Sequence, residues 1–97
     1  MHATGFRSIA FPDGRLYHGE CSSDGVLNGR GKLTWPSGDV YEGNWIDDKM
    51  NGRGKLVYSN GDTYDGDFLN DKRHGLGKYT CSGGEVFNGL WKDNNVM

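Results

Sequence analysis

The chain has 97 residues, of which 34% are hydrophobic, 12% are aromatic and 17 are glycines. This much glycine without a collagen period serves either disorder or a regular sheet with many turns, and the aromatic content argues against disorder. Thirteen acidic residues against eleven basic ones give a net charge of −2, so we expect no nucleic-acid partner. No apolar run approaches the ~20 residues of a membrane span, and the amino terminus lacks the basic and apolar regions of a signal peptide.

A short motif with the pattern aromatic-x-Gly-x-large recurs along the chain. Its four copies are Tyr17–Cys21, Tyr41–Trp45, Tyr64–Phe68 and Phe87–Trp91, and their first residues are 24, 23 and 23 positions apart. Between them a second motif, Gly-x-Gly-Lys followed by three more residues, occupies 29–35, 52–58 and 75–81. Residues 5–11 fit the same frame without the second glycine. A period of this length indicates a repeat architecture built from one supersecondary unit.

These motifs resemble the MORN repeat (membrane occupation and recognition nexus), whose pattern is YxGxW, a K-x-x-G turn and GxGxxxxxxG. The resemblance covers residues 5–93. It departs from the pattern where Cys21 replaces an aromatic residue, where the first turn has one extra residue, and where the last unit stops after its first strand. It implies one domain over 5–93 and a tail at 94–97. The parts of the domain are a half unit at 5–16, units that begin at Tyr17, Tyr41 and Tyr64, and a truncated unit that begins at Phe87.

We predict an all-β fold, a single elongated and twisted antiparallel sheet of stacked β-hairpins that forms a MORN-repeat solenoid. Eight short strands are expected near residues 6–11, 16–21, 30–35, 40–45, 53–58, 63–68, 76–81 and 86–91. Because side chains alternate between the two sides of a strand, one side of the sheet collects 11 of the 12 aromatic residues and leaves out Phe6. We call this side the aromatic face and the other side the reverse face.

The reverse face is predicted to be charged. Glu42 and Asp65 come from the first strands of hairpins, whereas Lys55 and Lys78 come from second strands. Opposite charges then become cross-strand neighbours, and the pairs Glu42–Lys55 and Asp65–Lys78 are compatible with the strand parity. We interpret this face as a solvated surface, with a charged ligand surface as the alternative.

The paired glycines of the motifs are predicted to make room on the aromatic face. Glycine weakens a strand unless its missing side chain lets another group approach closely. A neighbouring ring can then lie flat over the backbone, and a larger residue at Gly54 should collide with such a ring. The positions concerned are Gly31, Gly43, Gly54, Gly66, Gly77 and Gly89. Glycines in the turns are expected instead to supply positive φ.

No pattern of a catalytic site stands out. The two GRGK segments lack the context of a phosphate-binding loop, and His74 is interpreted as a turn residue. Cys21 and Cys81 sit in no metal-ligand spacing, so we expect reduced cysteines, no metal and no cofactor. The resemblance leaves one enzymatic alternative, an accessory domain of a larger enzyme, since MORN repeats also occur beside kinase and methyltransferase domains.

The main functional hypothesis is a non-enzymatic scaffold or adaptor that binds a protein partner, a peptide or a helix, in a groove on the aromatic face. Aromatic residues are frequent interface anchors, and an exposed apolar surface usually marks a binding site. The alternative for the same rings is that they stack on one another as the core. The candidate residues are Tyr17, Trp35, Tyr41, Trp45, Tyr58, Tyr64, Phe68, Phe87 and Trp91.

Two other hypotheses use other parts of the chain. The family name suggests binding of phosphoinositides or other acidic phospholipids, for which the candidate residues are Lys32, Lys55, Lys78, Lys72 and Arg73. Interleaved acidic residues weaken this hypothesis. The last strand, residues 86–91, is expected to form an open edge that could pair with a second copy in a homodimer. The resemblance further implies a cytoplasmic protein with a cytoskeletal, ciliary or membrane-associated setting.

Overall fold

The computed structural model describes residues 4–97, in which nine strands form one antiparallel sheet. Every strand pairs with its neighbours in the sequence, so the predicted all-β order of stacked hairpins is confirmed. The molecule is elongated, with extents of 41 × 27 × 17 Å. The strands are β1 (Thr4–Ala10), β2 (Leu16–Ser22), β3 (Leu27–Thr34), β4 (Val40–Ile46), β5 (Lys49–Val57), β6 (Thr63–Leu69), β7 (Lys72–Thr80), β8 (Val86–Lys92) and β9 (Asn95–Val96).

The ninth strand lies where the sequence predicted a tail. Val96 pairs with Trp91, and Asn95 pairs with Lys92. The segment WKDNNV repeats the pattern of WIDDKM in the second unit, so it makes the same tight turn and return strand. The expectation of an open edge over residues 86–91 is therefore corrected only at its end, because β9 pairs with Trp91 and Lys92 and leaves the first part of β8 unpaired on this side within the described chain.

The hairpins close through two kinds of turn. The turns with glycine place Gly14, Gly38, Gly61 and Gly84 at φ between 94° and 100°, as predicted. The tight turns after β4, β6 and β8 instead place two consecutive Asp or Asn residues at positive φ. Asn and Asp tolerate this region, and a turn with two such residues matches the twist of the flanking strands. The pairs are Asp47–Asp48, Asn70–Asp71 and Asp93–Asn94.

Each tight turn also bonds to a strand of the preceding unit. The second turn residue accepts a hydrogen bond at its side-chain oxygen from a backbone N–H, and its own N–H donates to the carbonyl of that same residue. These N···O distances are 2.8 to 3.1 Å. We call the three pairs the unit joints: Asp48 with Leu27, Asp71 with Met50, and Asn94 with Arg73.

The strand register confirms the predicted neighbours on the reverse face. Glu42 lies opposite Lys55, and Asp65 lies opposite Lys78. The ion pairs of this face, however, involve Arg53, whose guanidinium lies 3.9 Å from Asp65 and 3.8 Å from the Asp67 carboxylate. Exposed pairs at these distances contribute little to stability, so the face is held mainly by the sheet beneath it.

Three tyrosines at equivalent positions form the centre of the core. Tyr17, Tyr41 and Tyr64 are at most 1% exposed, and each hydroxyl donates to the backbone carbonyl three residues later at 2.6 to 2.9 Å. Each ring lies over a glycine of the next strand, where an added Cβ atom would overlap the hydroxyl and the ring edge. These glycines are Gly31, Gly54 and Gly77. The predicted close approach of rings is confirmed at these three glycines, whereas at Gly89 it is wrong, because nothing among the described residues lies within 4 Å of its added Cβ atom.

Six rings of the aromatic face interlock along the long axis. Successive rings meet edge to face, with centroid distances of 5.0 to 5.9 Å and interplanar angles of 81° to 87°. Such contacts add ~0.5–1.5 kcal/mol each beyond burial. The order of the ladder is Tyr17, Trp45, Tyr41, Phe68, Tyr64 and Trp91.

Candidate binding surfaces

The aromatic face is mostly the core of the molecule and not an open groove. Among the nine predicted partner-binding residues, Trp35 and Tyr58 are half-buried and Phe87 is 43% exposed. The other six are at most 6% exposed, which corrects their assignment as a contact surface because the ring ladder already covers them. The six buried residues are Tyr17, Tyr41, Trp45, Tyr64, Phe68 and Trp91.

Burial keeps the core tyrosines neutral. It raises the pKa of Tyr17 and of Tyr64 to about 12, and it raises the pKa of Tyr41 further still. A hydroxyl that ionises only at this pH and donates to a backbone carbonyl is a structural group. None of the three is prepared to act as a nucleophile at neutral pH.

Arg73 points into the aromatic face, which corrects its assignment to a basic lipid-binding surface. Its Nη1 donates to the Tyr58 hydroxyl at 2.6 Å, and its Nη2 donates to the Asn94 carbonyl at 2.7 Å. Its Cζ lies 5.2 Å from the ring centroid of Tyr79 and 5.1 Å from that of Trp91. These distances are within the ~6 Å range of cation–π attraction, so the guanidinium is held between two rings and two acceptors.

An open pocket of about 270 Å³ adjoins this guanidinium at the β9 end of the aromatic face. Its walls are Arg73, the rings of Tyr79, Phe87 and Trp91, and residues 94–96. Phe87 is exposed here, whereas its equivalents in the preceding units, Tyr41 and Tyr64, are fully buried. The pocket is therefore an unfilled continuation of the core.

The predicted lysines are only partly brought together. Lys32, Lys55 and Lys78 are exposed and fall in one cross-strand row on the reverse face. Glu42 and Asp65 stand between them in that row. Lys72 lies outside the row, at the start of β7 opposite Leu69.

An exposed apolar pair on the reverse face escaped the sequence-based prediction. Leu76 and Leu90 lie opposite each other in β7 and β8, and they are 63% and 54% exposed. The equivalent position in the second unit holds the charged pair Arg53 and Asp67. The signal was present in the sequence, because the third copy of the second motif reads GLGK where the first two read GRGK.

His74 lies within β7 and not in a turn, which corrects its interpretation as a turn residue. Its equivalents Asn28 and Asn51 accept hydrogen bonds from the backbone N–H groups of tight turns, whereas the Nδ1 of His74 is buried without a hydrogen-bond partner. Across residues 4–97 no three His, Cys, Asp or Glu side chains are placed to hold a metal ion. Both cysteines are free.

The described part of the chain contains no helix long and apolar enough to cross a membrane. A comparison with curated proteins gave no match. The family model of the MORN repeat matches residues 21–40, 41–63 and 64–86, which together make up more than half of the chain. The second and third matches begin at Tyr41 and Tyr64, at the first strands of two hairpins, whereas the first begins near the end of β2. The chain belongs to the MORN-repeat family.

Proposed function

We propose that this chain is a non-enzymatic scaffold module that binds a protein partner. The observation that supports the proposal is the exposed pair Leu76 and Leu90, which takes the place of the charged pair Arg53 and Asp67 of the second unit. A patch of exposed apolar side chains with a polar surround is typical of a protein-interaction site. The family assignment is consistent with a binding or scaffold role and leaves the partner open.

The docking surface we propose is the outer surface of β7 and β8. On the reverse face it contains Leu76, Leu90 and Val86, which is 49% exposed. At the β9 end it continues to Phe87 on the aromatic face. This surface replaces the buried rings as the place where a partner makes contact, because the buried rings are already shielded by one another.

A charge-restoring double variant tests the proposal. Leu76→Arg combined with Leu90→Asp recreates the arrangement of Arg53 and Asp67, so we expect the fold to persist by circular dichroism. Proteins captured from native cells by the unaltered chain should be lost with this variant. Leu16→Arg is the matched control, because Leu16 is 55% exposed on the reverse face at the other end of the sheet. Equal capture by the double variant and the unaltered chain would reject this surface.

A second candidate function is binding to acidic phospholipids through the row of Lys32, Lys55 and Lys78. All three are exposed on one face, and each basic residue near an anionic surface contributes about 1 kcal/mol. Co-sedimentation with phosphatidylcholine vesicles, with and without phosphatidylserine, tests this function. Binding that depends on phosphatidylserine, weakens with salt and disappears when the three lysines are changed to glutamine would support it. Binding to neither kind of vesicle would reject it.

We retain three further proposals from the resemblance. The chain acts in the cytoplasm near cytoskeleton, cilium or membrane, which imaging of a tagged chain tests. It forms homodimers through the part of the β8 edge that β9 leaves open, which sedimentation across a concentration series tests. It serves as an accessory domain of an enzyme, which copurification with an enzymatic activity tests.

A further inference from the structure

We propose that the pocket around Arg73 binds the carboxylate side chain of an aspartate or glutamate in a partner polypeptide, with an adjacent apolar residue of the partner resting on Phe87. This inference rests on the proposed function, a protein-binding scaffold, and adds the chemistry of the partner segment. The observation behind it is that the Arg73 guanidinium has no carboxylate partner within residues 4–97. It also lies at a position, which we call the slot, that other units fill with apolar side chains.

The slot of Arg73 is apolar elsewhere in the sheet. Leu27 and Met50 occupy it in the earlier units, with 3% and 7% exposure. Across the hairpin they lie opposite Cys21 and Trp45, as Arg73 lies opposite Phe68. Arg73 is half-buried, so its guanidinium loses part of its hydration, which costs free energy unless the charge is paired. An arginine therefore contributes less to stability at this position than an apolar residue would, which points to a role in binding.

The residues around the slot also differ between the second unit, where it holds Met50, and the third unit, where it holds Arg73. Tyr58 stands where the preceding unit has Trp35, and its hydroxyl can accept a hydrogen bond whereas an indole only donates one. Tyr79 replaces Leu56 and supplies a ring face to the cation, as does Trp91, which replaces Phe68. Three changes thus hold the guanidinium in a fixed orientation. A binding group held in advance loses less entropy when a ligand arrives.

The charge of Arg73 is not neutralised within the described chain. Its two hydrogen-bond acceptors, the Tyr58 hydroxyl and the Asn94 carbonyl, are both uncharged. Across residues 4–97 the ion pairs within 4.0 Å involve only Arg15 and Arg53. The Nε of Arg73 is buried with no acceptor. A carboxylate would supply the missing negative charge, and the planar guanidinium is well suited to bind it.

The walls of the pocket favour a carboxylate side chain over other anions. Arg73 is the only basic residue that lines it, whereas phosphate groups are recognised by clusters of arginines. Phe87 and Val96 line it as well and are each 43% exposed, so they offer an apolar shelf beside the charge. The volume of about 270 Å³ lies just below the ~300–1,000 Å³ of small-molecule sites, which suits one or two side chains.

Titration of the ¹⁵N-labelled chain followed by NMR tests the inference. The probe is the blocked peptide acetyl-Gly-Glu-Leu-Gly-amide, and the control peptide has Gln in place of Glu. The peaks to follow are the Nε–H of Arg73 and the indole N–H of Trp91, which donates to the Gly77 carbonyl. We expect saturable shifts with the Glu peptide and affinity lower by about tenfold or more with the Gln peptide, as is typical for loss of a charged hydrogen bond.

Two variants separate recognition from folding. Arg73→Met places the residue of the second unit in the slot, so the chain should fold, keep its Trp91 indole peak and lose binding of the Glu peptide. Arg53→Met removes an exposed guanidinium from the reverse face and should leave binding unchanged. Equal binding of the Glu and Gln peptides, binding retained in Arg73→Met, or no saturable shift at millimolar peptide would each overturn the inference.

The same titration distinguishes a carboxylate side chain from other anions. It also distinguishes a failure of this inference from a failure of the proposed scaffold function. Acetyl-leucine carries a free terminal carboxylate, and inorganic phosphate carries no carboxylate. Tighter binding of either than of the Glu peptide would overturn the choice of a carboxylate side chain. If partners are captured through Leu76 and Leu90 but the Glu peptide does not bind, the scaffold function stands and only the inference about Arg73 fails.

Discussion

The second and third units share a backbone but differ in the side of the sheet on which their arginine lies. In the second unit Met50 faces the aromatic core and Arg53 stands on the reverse face, whereas in the third unit Arg73 is on the core side and Leu76 is exposed. The ring-over-glycine contact is the same in both. The glycines, tyrosines and turns that the two units share maintain the fold, while the position of Met50 and Arg73 differs together with the residues around it.

The largest expected effect comes from exchanging the slot residues. Met50→Arg should lower the free energy of unfolding by about 3 kcal/mol, because it removes a charge from water where the Tyr58 hydroxyl and the Tyr79 ring are replaced by Trp35 and Leu56. The nearby Asp71 carboxylate already accepts the backbone N–H of Met50. Arg73→Met should leave stability unchanged or raise it. Urea unfolding of both variants measures the difference. Equal effects at the two sites would mean that the two slots are equivalent, contrary to the comparison.

Glycine substitutions should act alike in both units. Gly54→Ala and Gly77→Ala each force a Cβ atom onto a buried tyrosine ring, and we expect each to lower the free energy of unfolding by ~1–3 kcal/mol. Gly83→Ala is the control, because nothing lies within 4 Å of its added Cβ atom. A loss at Gly54 with none at Gly77 would show that the third unit packs differently.

A smaller effect on stability is expected from restoring charge at the exposed leucines. The double variant Leu76→Arg and Leu90→Asp should change the free energy of unfolding by only ~0.2–1 kcal/mol, the range of a cross-strand pair. Its influence on binding is expected to be much larger. Chemical unfolding of the double variant measures the first effect, and a loss of several kcal/mol would indicate that the leucines support the fold.

The ionisation of the buried tyrosines has the smallest effect on stability at neutral pH. Burial raises the folded-state pKa of Tyr17, Tyr64 and Tyr79 to about 12, above the value of 10 in the unfolded chain. Their contribution to stability is fully present below pH 10 and is lost as the pH rises towards 12. The ultraviolet absorbance of ionised tyrosine should show these tyrosines ionising together with unfolding. Ionisation of all tyrosines near pH 10 in a chain that stays folded would contradict this prediction.

Most of the fold could be predicted from the sequence because two periods reinforce each other. The repeat of 23 residues defined the hairpins, and the alternation of side chains assigned rings to one face and charges to the other. The closure of the aromatic face could not be derived in this way. It depends on how far each ring leans along its strand, and spacing contains no information about that angle.

The misassignment of Arg73 has a simple physical cause. The strand was predicted to begin near residue 76, but β7 begins at Lys72. Alternation continued backwards from Gly77 through Gly75 reaches Arg73, just as it reaches Met50 from Gly54 through Gly52. The ends of strands are the hardest part to predict from a sequence. Here the tight turn of Asn and Asp lets pairing begin directly after it, which the spacing of the motifs does not indicate.

The interfaces between units determine how the molecule responds to force. Each interface is a ladder of six paired residues between adjacent strands, to which one unit joint is added, so neighbouring units are linked in the same way wherever they lie in the row. A pull applied at the two ends of the sheet loads these interfaces in series. The force that separates units is therefore determined by the weakest interface, and adding units lengthens the molecule without strengthening it. Asn94, with its uncharged amide, makes the joint that we expect to open first.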